Sequence, residues 1–302
     1  MRAAVAAVVT LSFLAAGTAL AIGNPEPSSC IDGGDRLTKL ELVEHLASSP
    51  RLLVLGSSRS RVAMPKTVQQ LTGRSTFNAG VRGGSSPDEY VFTRLLARRF
   101  PRSRPAYLIF TDVGIAGDGV NPELADEPLA RPFLGSDASS KATTCVPNGE
   151  YTPDGGLDYP PGLDKAQREA LTAATVAQTL KGITAATERP TRIDPAHTKY
   201  FLHMLAFMNA HGATPVIVLN PMYPSVLAKR RRYGFPERKA VTVYLDWLRS
   251  KHYRFVFVDC EDIRRWGGRK SDFINVDHID RANMARMLRY VVAHSHGVLR
   301  RP

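Results

Sequence analysis

A glycine–serine turn directly follows the first strongly apolar run of the folded part of the chain. The run, residues 52–55, leads into Gly56-Ser57-Ser58. A serine between a strand and a helix lies beside free backbone N–H groups, which stabilise negative charge on a reacting carbonyl oxygen. Ser58 is therefore a candidate nucleophile. A phosphate-binding turn and a plain helix cap use the same residue types and remain alternatives.

Two better-known serine and phosphate motifs do not fit this turn. A Walker loop would end in Gly-Lys-Ser/Thr, which is missing here. The nucleophile elbow G-x-S-x-G would need a second glycine where Ser60 stands. Neither a P-loop nor an α/β-hydrolase elbow is predicted.

A glycine-rich segment follows the second predicted strand. Its pattern N-x-G-x-x-G runs from Asn78 to Gly83. Glycines there permit a tight turn and bring backbone N–H groups close to a substrate oxygen. We take this segment as a candidate oxyanion or substrate-binding element, with a glycine-rich connection that binds nothing as the alternative.

A histidine stands on a predicted loop immediately before the last helix. His278 lies in Ile274-Asn275-Val276-Asp277-His278. A general base needs only hydrogen-bond reach in the folded protein, not closeness in sequence. None of the other seven histidines has a comparable context. His278 is the candidate base, with a surface residue or helix cap as the alternative.

The elements that must position these residues form a βαβα alternation. Five short, continuously apolar runs predict buried parallel strands at residues 52–55, 76–78, 107–111, 215–219 and 255–258. Helices are predicted at 87–100, with Ser86 as N-cap, and at 164–189, 194–210, 236–248 and 280–293, the last capped by Asp280. The expected fold is an α/β, flavodoxin-like three-layer sandwich with a five-stranded parallel sheet.

The domain organisation follows from the same pattern. Residues 1–21 read as a signal peptide or an uncleaved anchor, 22–50 as an N-terminal lead-in, and 51–302 as one α/β domain. Residues 117–163, rich in Gly, Pro, Asp and Ser, are predicted to be an irregular insertion at the carboxyl edge of the sheet. An apolar run that ends in Ala19-Leu20-Ala21 predicts a secreted or cell-envelope protein, with membrane contact only through an uncleaved N-terminal segment.

Composition narrows the partners and cofactors. The formal charge of +12 favours an anionic partner such as an envelope polymer, while the absence of nucleic-acid-binding motifs argues against DNA or RNA. The basic run 229–232 is interpreted as a solvated helix face, with a cleft wall that attracts anions as the alternative. The three cysteines lack C-x-x-C spacing, so no metal site and no cofactor are expected. Cys260 is predicted to be a core thiol, and Cys30 with Cys145 a disulfide.

The three segments that carry the candidate catalytic and oxyanion-binding residues together resemble the SGNH (GDSL-like) hydrolase superfamily. The resemblance rests on Gly56-Ser57-Ser58 after the first strand, the N-x-G-x-x-G segment after the second, and His278 before the last helix. It implies Ser58 as nucleophile, Gly83 as an oxyanion-hole residue and His278 as base. The form of the first two segments looks most like the branch of cell-envelope O-acylation proteins, such as those of teichoic-acid D-alanylation and alginate acetylation.

Two departures from the family pattern bear on activity. Asn275 stands where the family usually has an aspartate three residues before the histidine. An amide orients an imidazole without stabilising imidazolium as a carboxylate does, and this predicts a Ser–His dyad unless Asp272 or Asp277 compensates. The oxyanion asparagine that the family carries after its third strand is also missing, and Asp112 lies there as a substrate contact or a strand-end cap.

The expectation from the resemblance is an exported serine esterase or O-acyltransferase. Its substrate would be an acylated cell-envelope polysaccharide or a similar ester. The alternative is an SGNH-fold protein that has lost catalysis and binds or assembles glycans.

Overall fold

Five short strands lie side by side in one parallel sheet at the centre of the protein. A computed structural model describes residues 34–112, 117–138, 151–157, 164–188 and 192–300. The strands are β1 (Leu52–Gly56), β2 (Thr76–Asn78), β3 (Ala106–Thr111), β4 (Val216–Leu219) and β5 (Val256–Asp259). Their order across the sheet is β2-β1-β3-β4-β5, and every neighbouring pair is parallel. The order reverses between β1 and β3, where ligands bind in open α/β sheets, at the carboxyl ends of the strands.

Helices cover both faces of this sheet. In chain order they are α1 (Asp35–Glu44), α2 (Pro65–Thr72), α3 (Ser86–Arg99), α4 (Pro122–Asp126), α5 (Arg131–Leu134), α6 (Lys165–Gly182), α7 (Lys199–Ala210), α8 (Pro224–Arg232), α9 (Pro236–Ser250) and α10 (Arg281–Ala293). Short 3₁₀ turns join them at Ser58–Ser60, Gly135–Asp137, Pro195–His197, Ile263–Arg265 and Lys270–Asp272.

Alternate side chains of each strand enter two separate cores. Leu53 and Leu55 of β1 pack with α1, α3, α7 and α9 on one face. Leu52 and Val54 pack with α2 and α10 on the other. Strands buried on both faces need continuous apolar runs, which explains the sequence pattern. The predicted flavodoxin-like three-layer sandwich is confirmed.

The predicted element boundaries are close to the observed ones, with differences set by local capping. Helix α3 begins one residue earlier than predicted, because Ser85 rather than Ser86 is its N-cap and shares a capping box with Asp88. Asp194 caps a 3₁₀ turn, and α7 begins only at Lys199. Helix α6 ends at Gly182, short of the predicted residue 189. Asp280 caps α10 as predicted, since its carboxylate accepts from Asn283 N–H.

Two stretches contain more regular structure than the sequence indicates. The described part of the 117–163 segment holds helices α4 and α5. The predicted lead-in 22–50 includes α1, whose Leu40 and Val43 are fully buried in the core. Arg36 of α1 forms a buried ion pair with Asp88 of α3. Helix α1 is therefore part of the α/β unit.

Several predictions fall outside the described residues. They are the signal peptide or anchor at 1–21 and the pairing of Cys30 with Cys145.

Cys260 is buried and free, as predicted for a core thiol. Burial and the neighbouring Asp259 raise its thiol pKa above the ordinary value. Within the described ranges, none of the helices has the length and apolar character needed to cross a membrane.

Candidate active site

The turn that carries Ser58 is fixed by a glycine at the end of β1. Gly56 has a φ of 138°, and a Cβ there would lie 2.6 Å from the carbonyl oxygen of Phe110 on β3. Only glycine fits that approach. The chain then enters the 3₁₀ turn Ser58–Ser60, which Ser57 precedes in extended conformation. The half-buried Ser58 is thus held at the carboxyl edge of the sheet.

The serine hydroxyl and the histidine ring form a direct hydrogen bond. Ser58 Oγ lies 2.8 Å from Nε2 of His278, although the residues are 220 positions apart in the chain. Because the Nδ1 atom of the ring faces two oxygens, it must carry the proton. Nε2 is therefore the bare nitrogen that accepts from the serine, which is the arrangement that a general base needs.

A carboxylate holds the other side of the ring. Asp277 Oδ1 lies 2.8 Å from His278 Nδ1, and Asn275 Oδ1 lies 3.0 Å from the same atom. The sequence predicted a Ser–His dyad unless Asp272 or Asp277 compensated for Asn275. Asp277 lies beside the ring, which gives a Ser–His–Asp arrangement with Asn275 as an additional acceptor, whereas Asp272 accepts from Arg286.

Asn275 also shapes the loop that presents both residues. Its side-chain oxygen accepts from the backbone N–H groups of Asp277, at 3.1 Å, and His278, at 2.9 Å. These donors fix which end of the amide faces the ring. The isolated bridge between Phe273 and Ile279 closes the base of the same loop. The amide therefore turns the chain so that the carboxylate one residue before His278 can reach Nδ1.

Arg59 links the histidine loop to the end of β3. Its two terminal nitrogens donate to Asp112 and to Asp277, so Asp277 uses one oxygen for His278 and the other for the guanidinium. Burial acts to raise the pKa of Asp277, but the hydrogen bond from His278 and the charge and hydrogen bond of Arg59 outweigh it. The net pKa lies well below its ordinary value, so the carboxylate stays charged.

Asp112, predicted as a substrate contact or a strand-end cap, is thus an ion-pair partner of Arg59. The residues from Ser58 to Asp112 form one chain of hydrogen bonds through His278, Asp277 and Arg59. Sequence reasoning gave Arg59 no role, because its two carboxylate partners are 53 and 218 positions away in the chain.

Asn78 has a different role from the one predicted. Its side chain is fully buried and donates to the carbonyls of Ser60 and Ala63, both at 2.9 Å. Its Oδ1 accepts from Gly80 N–H at 2.8 Å. A saturated, enclosed amide cannot bind a substrate oxygen, so the assignment of Asn78 to substrate binding is wrong. It clamps the nucleophile turn to the loop after β2.

Gly83 lies in the loop that follows β2. It is exposed, with a φ of 62°, and its carbonyl accepts from Arg36. Within the described ranges, the N–H groups of Ser58 and Gly83 have no acceptor. The role of Gly83 in binding an oxyanion stays a prediction, which these two unpaired donors support.

Two of the four residues in the basic run at the end of α8, Arg230 and Arg231, pair with acidic groups, and Lys229 donates to the carbonyl of Leu180. Arg230 contacts Glu188 and Glu237, and Arg231 contacts Asp262. Arg230 also lines a cavity beside Arg59 and Asp277. Arg231 and Arg232 are exposed, as predicted for a solvated face, whereas the positive charge of Arg230 beside the cavity is compensated by acids. In the part of the chain that the structure describes, three His, Cys, Asp or Glu side chains nowhere converge as a metal site would require.

Comparisons with known proteins assign no family to the chain. No family model and no curated protein matches the chain. A search of solved structures finds a protein from Bacteroides fragilis NCTC 9343 described as a "putative acylhydrolase". It is 10% identical, with a TM-score of 0.40, over 92% of this chain and 100% of that one.

Proposed function

We propose that this protein is a serine hydrolase or acyltransferase that acts on ester bonds. The observation that carries the proposal is the 2.8 Å contact between Ser58 Oγ and His278 Nε2, with the Asp277 carboxylate 2.8 Å from Nδ1. A nucleophile, a base and an orienting acid in this order are the parts of a catalytic triad.

The first half of the reaction acylates the serine. Ser58 Oγ attacks the ester carbonyl and forms a C–O bond while His278 Nε2 takes the hydroxyl proton. Asp277 stabilises the imidazolium that results. The N–H groups of Ser58 and Gly83 would bind the oxyanion of the tetrahedral intermediate. The intermediate then collapses, the ester C–O bond breaks, and His278 returns its proton to the leaving alkoxide oxygen.

The second half depends on the acceptor. Water, deprotonated by His278, attacks the acyl-enzyme carbonyl, the bond between the acyl carbon and Ser58 Oγ breaks, and His278 returns the proton to Oγ. The carboxylic acid is released, which makes the protein an esterase. A sugar hydroxyl in place of water makes it an O-acyltransferase. We propose an acylated cell-envelope polysaccharide as the substrate and an extracytoplasmic location. The positive charge of the chain and its apolar N-terminal run support these two points.

Loss of the serine hydroxyl tests the proposal. Ser58→Ala should abolish hydrolysis of 4-nitrophenyl acetate, with kcat reduced at least about 10³-fold, because no nucleophile remains. An unchanged thermal unfolding midpoint would show that the variant is folded. Ser271→Ala on the exposed turn before the histidine loop is the matched control and should keep full activity. Wild-type activity in Ser58→Ala would refute the assignment.

The alternative of a catalytically impaired binding protein rested on Asn275. With Asp277 at the ring, the motive for that alternative is weaker. The asparagine that the family carries after its third strand is still missing, so the oxyanion would depend on backbone N–H groups alone.

A further inference from the structure

A cavity of about 410 Å³ opens directly beside the hydrogen-bonded chain of the proposed active site. Its lining includes Arg59 and Asp277 of that chain, Asn220 directly after β4, and Val226 and Arg230 of helix α8. A volume of this size lies within the range of small-molecule sites, about 300–1,000 Å³. The cavity is therefore a side pocket next to the reacting groups rather than the nucleophile cleft itself.

Unpaired buried polar atoms concentrate around this cavity. Asn220 is 6% exposed and lines the cavity, and both atoms of its amide group lack a partner among the described residues. Arg59 and Arg230 also line the cavity, and their Nε atoms are buried and have no partner among the described residues. An unpaired buried polar group is costly and in native proteins calls for an explanation. A bound polar ligand would supply one.

The unpaired atoms define which groups the ligand must offer. Three of them are donors, namely Nδ2 of Asn220 and the two guanidinium Nε atoms, and one is the acceptor Oδ1 of Asn220. An amide that offers a donor and an acceptor side by side matches a hydroxyl group or a pair of adjacent hydroxyls. The surplus of donors favours a ligand rich in oxygen.

The charges of the wall favour a neutral ligand over an anion. Arg59 is already bound by two carboxylates, and Arg230 contacts Glu188 and Glu237. Glu261, whose side chain is 5% exposed, also lines the cavity and adds no positive charge to it. An additional carboxylate or phosphate would have to compete with these acids for both cations. The apolar side chains of Met222 and Val226 supply a surface for the C–H face of a sugar ring.

We propose that this cavity binds a neutral sugar unit of the ester substrate or acceptor, with Asn220 as the residue that recognises its hydroxyl groups. The link to catalysis rests on the proposed function, but sugar binding itself does not. The uronate and phosphate units of an anionic polymer would be excluded from this pocket.

Direct binding to the inactive Ser58→Ala full chain tests the inference without requiring turnover. Ligand-observed NMR would compare methyl glycosides of glucose, galactose and mannose, and their short oligosaccharides, with the corresponding methyl uronides. Saturation transfer to at least one neutral glycoside, and at least about fivefold weaker binding of its uronide, supports the proposal. No binding of any neutral glycoside, or stronger binding of the uronide, overturns it.

The variant Asn220→Leu separates recognition from structure, because leucine has the shape of asparagine without its polar atoms. Binding of the neutral glycoside should weaken about tenfold, which corresponds to the loss of hydrogen bonds worth about 1.4 kcal/mol. The melting temperature should equal or exceed that of the parent, since the amide makes no hydrogen bond that the change would break. Unchanged glycoside affinity, or a fall in melting temperature, would contradict a ligand-binding role.

A matched control and an activity measurement complete the design. Asn209→Ala removes an amide that bonds the carbonyls of Ala213 and Arg254, at the opposite edge of the sheet, and should leave glycoside binding unchanged. If the wild type binds the glycoside but Ser58 does no ester chemistry, the proposed function fails and the sugar site stands. If Ser58 is active but no glycoside binds, the site fails and the function stands.

Discussion

The ring of His278 offers one proton at Nδ1 to two acceptors of different chemistry. Asp277 accepts with a charged oxygen, and Asn275 with a neutral amide oxygen that already receives two backbone N–H groups. When the ring becomes positively charged during catalysis, its interaction with the carboxylate becomes an ion pair, whereas the neutral amide cannot form one. The two neighbours therefore divide the work: Asn275 sets the position of the loop, and Asp277 stabilises the imidazolium.

Substitution of each acceptor in turn should distinguish their roles. Asp277→Asn should lower kcat for 4-nitrophenyl acetate about 10³-fold, because it removes the charge that favours imidazolium; in serine proteases the equivalent change costs about 10⁴. Asn275→Asp, its companion, should give no gain and instead a loss of up to about tenfold, because it places a second carboxylate beside Asp277.

Steady-state kinetics of both variants check this division of roles. A large gain in Asn275→Asp would mean that the natural site lacks an effective acid. A change of less than about threefold in Asp277→Asn would mean that the carboxylate does not act on the ring.

The connections between elements hold the site together more than any single strand does. Arg59 ties the turn after β1 to the end of β3 and to the histidine loop. Asn78 at the end of β2 bonds the carbonyls of Ser60 and Ala63, and Gly80 approaches Ser60 so closely that a Cβ would lie 2.0 Å from its Oγ. The nucleophile turn is thus fixed from both neighbouring strands.

Removal of the Asn78 amide should loosen that turn. Asn78→Ala takes the Asn78 bond away from the Ala63 carbonyl and the Gly80 N–H, and leaves the Ser60 carbonyl with its bond from Ala63 N–H alone. The free energy of unfolding should therefore fall by about 2–4 kcal/mol. Denaturant unfolding measures the loss, and Asn209→Ala, which removes a more exposed amide with two carbonyl partners, should cost about 1 kcal/mol. Equal losses of unfolding free energy in the two variants would show that the Asn78 amide stabilises the protein no more than an ordinary, more exposed amide does.

At the scale of the whole molecule, the apolar pattern of the sequence predicts the fold, but it predicts the candidate site only in part. Continuous apolar runs predicted five parallel strands, and parallel strands end at a common edge, which is why Ser58 and His278 were expected near each other. Asp277 was named only as one of two acids that might compensate for Asn275. Its reach to the ring depends on the turn that Asn275 makes, and this turn is a tertiary feature.

Other features of the site cannot be predicted from the local sequence around each residue. The bridge from Arg59 to Asp112 and Asp277 joins residues more than fifty positions apart, and it depends on where three loops converge. The burial of Asn78 likewise depends on the path of the neighbouring turn rather than on its own motif. Helix α1 was taken as a lead-in because its buried side chains include Asp35, Arg36 and Lys39, which an apolar pattern does not detect.

The pH dependence of stability should include a contribution from the buried acid Glu261. Burial, with help from Asp259, raises the pKa of Glu261 to about 7, against the opposing effect of three nearby arginines. The native state therefore keeps a proton that the unfolded chain releases above about pH 4.3. The contribution of Glu261 to the free energy of unfolding should therefore fall as the pH rises from about 4.3 to 7, by up to about 3 kcal/mol.

The variant Glu261→Gln should remove the contribution of this group to the pH dependence. It should match the wild type at pH 4.5 and exceed its free energy of unfolding by about 1–3 kcal/mol at pH 8, as measured by urea unfolding. Glu169→Gln, at an exposed position of α6, is the control and should change stability at neither pH. A wild-type stability that is flat or rising between pH 5 and 7.5, with no gain in Glu261→Gln, would contradict the assignment.

Covalent labelling of the purified protein by a fluorophosphonate tests the central claim most directly. The reagent modifies a serine only where a base activates the hydroxyl and donors stabilise the developing charge. We predict a single adduct, located by mass spectrometry on Ser58, that is absent in Ser58→Ala and formed at least about 100-fold more slowly in His278→Ala. An unlabelled wild type, or an adduct on another serine, would contradict the assignment of Ser58 and His278 as nucleophile and base.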